Sequence, residues 1–510
     1  MTTATYTETA PSPDARSADA PGAHQSEAST DLGIGRRMQF GVRRWLGSHR
    51  WPLIVTCCMF ALGGLVLFGW DPLIGDPGHW FTGGDLWGIF RAAHYVGWGS
   101  LSGVYAPGNG VVSFPGMPVL LAPVAMLSGS LHLTESYGPF TLARPTAALL
   151  LAPVEMLAAA TVVFAADALA ATLGTTRRNR VALCWLVGLM ASPVAAVWGH
   201  AEDMLAVTFA LYALGALFDG RWARSGWLIG FGVAVQPLVL LLVPLFIGAS
   251  PAGQRLRTAV RSVLVSAFLV GVAFAGEASD TWRSIVVQPT PPSVNHATPW
   301  ISLAPVVSRS TVQRVQFGVP RTGLGHTAFT VATSGLRSAA EVSGGPGRMI
   351  DVALAVLVGV FLWRRPQTPI RVGWLAAAVL VSRCFFEAVM TPYYVVPPLI
   401  LALLLVSVRG GRRLAAASVL AAGMCVYAYF HLAPWVWWSP IVAGLLVILV
   451  LTYPADGGPS RDVDVGSQPT SSARVSEMDV QRSRWETATG QLVFADTQSG
   501  TSRMSGVECR

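Results

Sequence analysis

The sequence predicts an all-α polytopic membrane protein, and three observations carry that prediction. Hydrophobic side chains make up 52% of the 510 residues, charged ones only 12%, and the mean hydropathy is +0.51, a balance that ordinary water-soluble globules do not reach. The apolar residues are gathered into runs, and a helix of roughly 20 such residues crosses a bilayer core of about 30 Å. Every second loop between those runs carries arginine, the asymmetry produced when basic loops stay in the cytoplasm.

Taken in order, the runs are 52–70, 146–173, 180–198, 203–219, 225–236, 237–249, 258–276, 348–364, 371–388, 394–408, 414–431 and 435–453, a bundle of about 12 transmembrane helices. The first, "WPLIVTCCMFALGGLVLFGW", follows Arg36, Arg37, Arg43, Arg44 and Arg50, which direct it outward. The pair 225–236 and 237–249 is interrupted at Gln236-Pro237, where proline removes a backbone donor. It reads as two half-length helices that meet inside the protein, because irregular backbone at that depth must be shielded from lipid. Arg177, Arg178 and Arg180, then Arg221 and Arg224, then Arg255, Arg257 and Arg261, then Arg364, Arg365 and Arg371, then Arg409, Arg412 and Arg413 mark successive cytoplasmic loops. Both termini come out cytoplasmic on this count.

Residues 1–50 read as a disordered tail with a basic end, not a signal peptide, 51–453 as the transmembrane domain, and 454–510 as a second disordered cytoplasmic tail. The long outer segments are 71–145 and 277–347, and His79, His94, His132, His200, His296, His326 and His431 all fall on the outer side. In the first segment "LWGIFRAAHYVGWG" and "PGMPVLLAPVAMLSG" are amphipathic stretches, too short or too interrupted to span, that suit the membrane surface.

Composition also excludes some chemistry. All 35 basic residues are arginine, and they set the formal charge at +8. They are scattered through short loops instead of lining one stripe, so nucleic acid is not implied. Cys57, Cys58, Cys184, Cys384 and Cys425 lie inside apolar runs and Cys509 in the tail, which leaves no disulfide framework and no CxxC metal site.

Chemistry is most legible in "GHAED", residues 199–203, between two unbroken apolar runs. The topology sets this pentapeptide at the outer mouth between the third and fourth spans, on the same side as Asp71, Asp76 and Asp85 of "WDPLIGDPGHWFTGGDLW". Carboxylates at a membrane face are costly unless they bind, pair or react. A structural alternative stays open: Glu202 and Asp203 also suit the N-terminal dipole of the fourth helix, and Asp85 suits a solvated turn after Gly83-Gly84. Asp71 and Asp76 precede prolines and read as turn residues.

"GHAEDMLAVTFALYALGALFDGRWARSGWLIGFGVAVQPLVLLLVPLF" resembles the core signature of GT-C fold glycosyltransferases that use polyprenyl-phosphate sugars, in particular the actinobacterial alpha-mannosyltransferase-like membrane proteins. In that family a Gly, a polar pair and an acid or amide open a helix, a basic cytoplasmic turn follows, and a Gly-rich helix ends in a polar residue and Pro. Its first outer loop holds an essential acid close to the first span, matched here by Asp85, and a Tyr-Pro-Pro-like element, matched by Phe114-Pro115-Gly116. The likeness covers residues 50 to 250.

What the resemblance implies is a GT-C-like bundle in the plasma membrane with its site extracytoplasmic. The reaction would be inverting transfer of a sugar, mannose favoured, from a polyprenyl-phosphate carrier to a glycan or glycolipid acceptor among membrane lipids. It needs a carboxylate to accept the hydroxyl proton and cationic or hydrogen-bonding groups for the leaving phosphate. Asp85 is expected as general base, with Glu202 and Asp203 orienting the acceptor or holding a divalent ion, and His200 as hydrogen-bond partner. An all-oxygen site suits Mg²⁺ or Mn²⁺, although these residues have no fixed ligand spacing. Relatives usually carry Lys before the proline of the broken helix, where this chain has Gln236; Arg348 of "GGPGRM" would supply the missing cation, or else is a snorkelling flank residue.

Several further residues are ambivalent. Arg383 and Glu387 stand four apart and read as an intramembrane pair. Tyr393 and Tyr394 read as interfacial aromatics that could also border a lipid groove. In "VNHATPWISLAP", Asn295, His296 and Trp300 offer sugar contacts, with the Trp able to stack, or are an interfacial Trp and a surface His. Glu155 and Asp167 lie within the second span and suit helix–helix hydrogen bonds or the reaction centre. Two rival functions remain, a secondary transporter or flippase and a GT-C-like scaffold that binds lipid-linked sugars without catalysis. The first is disfavoured by the absence of an internal hydropathy repeat, by the long outer segments and by acids at the rim instead of the midplane.

Overall fold

The computed structural model describes residues 49–69, 80–106, 109, 111–135, 144–290, 292, 295–315, 333–430 and 432–454, apart from position 82. The two predicted tails lie almost wholly outside these residues, as do Asp71, Asp76, His79, His326 and His431.

In chain order the helices are α1 (His49–Gly69), α2 (Gly84–Gly97), α3 (Gly116–Ser130), α4 (Ala148–Thr172), α5 (Arg177–Ala196), α6 (Ala201–Phe218), α7 (Trp222–Val235), α8 (Val243–Ala249), α9 (Arg255–Gly276), α10 (Ala278–Trp282), α11 (Gly345–Arg364), α12 (Pro369–Phe386), α13 (Val396–Arg409), α14 (Gly411–Tyr427) and α15 (Pro434–Thr452). Among the described residues nine helices are long and apolar enough to cross a membrane: α1, α4, α5, α6, α9 with its preceding turn, α11, α12, α13 with its preceding turn, and α15. The chain is a multi-pass helical membrane protein.

Three of the expected runs are shorter than these nine, two of them the half-length pair read on either side of Gln236-Pro237. α7 has 14 residues and α14 has 17, and the segment between Gln236 and Ser250 is a 3₁₀ helix, Pro237–Leu242, followed by the short α8. The break itself falls at Gln236-Pro237. Gln236 adopts φ −148°, ψ 121°, because the residue before proline is driven out of the helical region and Pro237 has no N–H to continue the ladder.

Small side chains let the helices approach closely. Ala159, Ala160, Ala166 and Ala170 of α4 and Ala206, Ala210 and Ala213 of α6 are all buried, the close packing that replaces a hydrophobic driving force inside a bilayer. At the α8–α11 crossing a Cβ on Gly248 would collide with the Gly359 carbonyl oxygen, and a Cβ on Gly359 would meet the Pro244 oxygen at 2.6 Å. Gly248→Val is therefore expected to cost about 1–3 kcal/mol by overpacking, read as earlier thermal unfolding of the purified protein.

The arginine-bearing loops gather at one end of the bundle. Asn179 Nδ2 donates to the Ser407 oxygen at 2.9 Å, Arg409 to the Tyr453 oxygen at 3.2 Å, and Arg255 to the Trp363 oxygen at 3.2 Å. Asp167 belongs to this end, held by Arg180 through a two-pronged pair at 2.8 and 2.6 Å. It is a structural anchor of α4 on α5, far along α4 from Glu155.

The second long segment departs from the all-α expectation. It forms an antiparallel hairpin of β2 (Val306–Val315) and β3 (Thr333–Val342), and a two-residue strand β1 (His296–Ala297) pairs with β4 (Val389–Met390), His296 opposite Met390. The β2 sequence is rich in β-branched residues, Val306, Val307, Thr311, Val312 and Val315, which is a strand signal that the strong helical signal around it obscures.

Candidate active site

The turn between α5 and α6 is the foundation of the site. Gly199 has φ +71°, a conformation glycine adopts without penalty. A Cβ added there would press on Leu86 Cβ at 2.9 Å, and one on Gly83 would meet the Gly199 nitrogen at 2.6 Å. Two bare glycines thus seat the start of α2 directly on the turn and bring Asp85 over His200. Gly199→Ala should misplace α2 as well as strain the backbone by about 1–2 kcal/mol, seen as a lower melting temperature together with loss of the Asp85 contact.

His200 is the hub. Its Nδ1 lies 2.6 Å from Glu202 Oε1, its Nε2 2.9 Å from Asp85 Oδ2, and the Tyr393 hydroxyl is 2.8 Å from the same Nε2. The Tyr393 ring stacks on the imidazole at 4.4 Å and 29°. Side-chain exposure is 12% for His200 and 2% for Glu202, against 70% for Asp85. One buried and one open carboxylate therefore share a single imidazole.

Burial disfavours the imidazolium, but the Glu202 charge and the hydrogen bonds to Asp85 and Glu202 outweigh it and raise the His200 pKa well above its ordinary value. Desolvation by surrounding protein opposes ionisation of Asp85 even though much of its side chain is open, and His200 outweighs this in turn, holding the carboxyl below its usual range. The Asp85 contribution is complete above the unfolded carboxyl pKa and is lost as pH falls through the lowered folded value. The His200 contribution is complete below the unfolded imidazole pKa and is lost as pH rises through the raised folded value. Both are complete between about pH 4 and 6.5. Thermal unfolding in detergent should accordingly show a plateau in that interval, and His200→Gln should flatten the alkaline side.

Asp203, 1% exposed, stands next in α6. Neither of its carboxylate oxygens, nor Glu202 Oε2, has a hydrogen-bond partner among the described residues. The Gln236 amide lies near Asp203 without completing a hydrogen bond, and the Arg383 guanidinium faces it electrostatically. Both acids do stand in the first turn of α6, where the helix dipole favours them, but α6 has no side-chain cap hydrogen bond, so the dipole alone leaves these oxygens without donors. Three buried carboxylate oxygens without donors are expensive, and such groups are ordinarily satisfied by protein, water or ligand.

Glu155 of α4, 4% exposed, lies electrostatically close to Glu202 and His200. It lines a cleft of about 240 Å³ walled by Phe60, Leu67, Leu86, Ala152 and Ala196. The cleft is almost entirely apolar and reaches Gly83 and Leu86, next to Asp85. The Phe114-Pro115-Gly116 element opens α3, and Gly116 packs against the Ala234 backbone two residues before Gln236.

A second polar neighbourhood surrounds Glu387. Arg348 Nε donates to Glu387 Oε1 at 2.9 Å and its Nη1 to Gln288 Oε1 at 2.7 Å. The expected Arg383–Glu387 pair is looser, at 3.7 Å, and Arg383 lies instead over the Tyr394 ring at 4.0 Å. Pro237, Arg348, Asp351 and Arg383 line a cavity of about 140 Å³ here. His296 and Trp300 belong to this neighbourhood. His296 is no surface residue: it is 4% exposed and stacks flat on Trp437 at 4.3 Å and 5°. Trp300 packs edge-on to Phe386 at 5.3 Å beside Ala304 and Val389.

Among the described residues no group of three or more His, Cys, Asp and Glu is placed to hold a metal ion. Glu202 and Asp203 supply oxygens, but the Arg383 charge facing Asp203 does not suit a divalent cage.

No protein-family model matches this chain, and no curated protein matches it.

Tyr393 is the member of the site that the sequence conceals. It follows Pro392 at the start of a helix, in the position of an interfacial aromatic, and only the fold brings it to His200. The available signal was the break in apolar sequence at "EAVMTPYY", opposite the GHAED turn in the bundle.

Proposed function

We propose that the protein is a membrane glycosyltransferase of GT-C type that moves a sugar, mannose favoured, from a polyprenyl-phosphate carrier to a hydroxyl of a glycan or glycolipid on the extracytoplasmic face. The observation that carries this reading is Asp85, an open carboxylate hydrogen-bonded to His200, set beside the unpartnered buried oxygens of Glu202 and Asp203 at the end of an apolar cleft.

In the proposed step the acceptor oxygen forms a bond to the anomeric carbon as the bond from that carbon to the phosphate oxygen breaks. The phosphate leaves with the electron pair, and the acceptor proton passes to Asp85. Glu202 Oε2 and the Asp203 carboxylate accept hydrogen bonds from sugar hydroxyls, which satisfies oxygens that have no partner among the described residues. Arg348 and Arg383, flanking the break where Gln236 stands, are the cations nearest to the expected phosphate position. Both are partly committed, Arg348 to Glu387 and Gln288. The apolar cleft under Glu155 suits the isoprenoid chain of the carrier. The basic loops at the far end of the bundle support an outward-facing site by the positive-inside rule.

Membranes containing the protein, fed polyprenyl-phosphate mannose labelled in the sugar, should incorporate label, and Asp203→Asn should lose most of that incorporation by removing an acceptor of sugar hydroxyls. Equal incorporation with wild type, Asp203→Asn and no enzyme removes the assignment.

A further inference from the structure

His200 has two ring nitrogens and three partners. Nδ1 is committed to the buried Glu202, while Nε2 is shared by Asp85 Oδ2 at 2.9 Å and the Tyr393 hydroxyl at 2.8 Å. A single nitrogen carries either one proton or one lone pair. With the proton in place, Nε2–H donates to the Asp85 carboxylate, which is acceptor-only when ionised and is the stronger acceptor of the two. Without it, ionised Asp85 has no proton to offer, and only the Tyr393 O–H can satisfy the lone pair. The two partners therefore belong to opposite protonation states of one ring.

A further residue completes the pattern. Thr391 Oγ1 is buried, has no hydrogen-bond partner among the described residues, and lies beside the Tyr393 hydroxyl. The Tyr393 proton thus has two destinations: Nε2 when the ring is neutral, and Thr391 Oγ1 when the ring is charged. The stack on the imidazole, the edge contact to Tyr394 at 5.1 Å and the contact to Trp198 at 5.6 Å hold the Tyr393 ring while its O–H turns.

We propose that Tyr393 is the positioning residue that frees Asp85 from His200, its hydroxyl capturing Nε2 when the ring gives up its proton. This rests on the glycosyltransferase reading only for the use made of the freed carboxylate. In that use the acceptor proton enters on Asp85 and passes to Nε2, returning Tyr393 to Thr391, and the proton then leaves Nε2 for solvent. No net proton is retained, and the ring is ready for the next cycle. The charged groups facing His200 are Asp85 from α2, Glu155 from α4, and Glu202 and Asp203 from α6. All are acids, so they favour the proton on the ring, and Tyr393 is the group in contact that favours its departure.

Two variants separate the states. Tyr393→Phe keeps the stacked ring and removes the donor to neutral Nε2, so the ring holds its proton to higher pH. Thr391→Val removes the alternative acceptor and should act in the opposite direction. In detergent-purified protein without substrate, the alkaline fall in melting temperature should move up by about one pH unit for Tyr393→Phe and down for Thr391→Val, the size expected from one hydrogen bond. In a transfer assay the acid limb of kcat should move the same two ways with KM unchanged. Opposed shifts in the unfolding profiles support the inference even if no sugar transfer is found. Shifts of the same sign, or profiles that coincide with wild type, overturn it; should Tyr393→Phe fail to fold, the direction of the Thr391→Val shift alone decides.

Discussion

Asp85→Asn is expected to cut sugar transfer at least a hundredfold while leaving the melting temperature close to wild type. The amide keeps the size of the carboxylate, and its oxygen still accepts from His200 Nε2–H, so the hydrogen-bonded frame survives. What it loses is the ability to take a proton, and a positioned general base contributes about 10²–10⁴-fold. Because the Asp85 side chain is 70% exposed, its removal exposes no cavity, and an open ion pair of this kind is worth at most about 1 kcal/mol. Activity and stability should therefore separate cleanly at this position. A parallel fall in both would mean that Asp85 serves the fold.

Glu202→Ala should behave in the reverse manner, with stability lost first. Glu202 is 2% exposed and its Oε1 sits 2.6 Å from His200 Nδ1. Truncation strands a buried imidazole without its carboxylate, and removing one partner of a buried pair costs about 3–5 kcal/mol. The His200 pKa should fall with it, since the Glu202 charge is the largest influence that raises it. Glu202→Gln, which can still accept from Nδ1–H, should recover part of the stability and little of the raised pKa. Denaturant titration of the detergent-solubilised variants measures the first effect, and the pH dependence of unfolding the second. If Glu202→Ala were as stable as wild type, the Glu202–His200 pair would have no structural weight.

Much of the molecule could be read without coordinates, for identifiable reasons. Long apolar runs such as 148–172 and 434–452 are decided by local composition, and so is the break at Gln236-Pro237, where backbone sterics leave little choice. The arginine pattern puts the Asp85 and GHAED segments on one side of the predicted topology, and the structure brings Asp85 within 2.9 Å of His200. Short or polar elements were less accessible. α14, with 17 residues, is one residue shorter than the shortest of the nine apolar spans, and the β2–β3 hairpin lies in a segment whose sequence predicts only a long outer stretch. Pair identities failed where a third residue intervened. Arg383 and Glu387 have ideal helical spacing, but Arg348, 39 positions away in sequence, wins the closer contact with Glu387, and His296 was claimed by Trp437. Such competition depends on helix packing and leaves no local trace. Tyr393 is the clearest instance, since nothing within its own helix points to an imidazole 193 residues earlier.

Release of the lipid carrier tests the glycosyl-transfer account most directly. Purified protein in nanodiscs would be given polyprenyl-phosphate mannose and a membrane glycolipid fraction, and free polyprenyl phosphate and glycosylated product would be followed together by mass spectrometry. The account predicts equal molar release and product with wild type, and neither with Asp85→Asn. An intact donor with wild-type protein, or the same release with and without the Asp85 carboxylate, would contradict it.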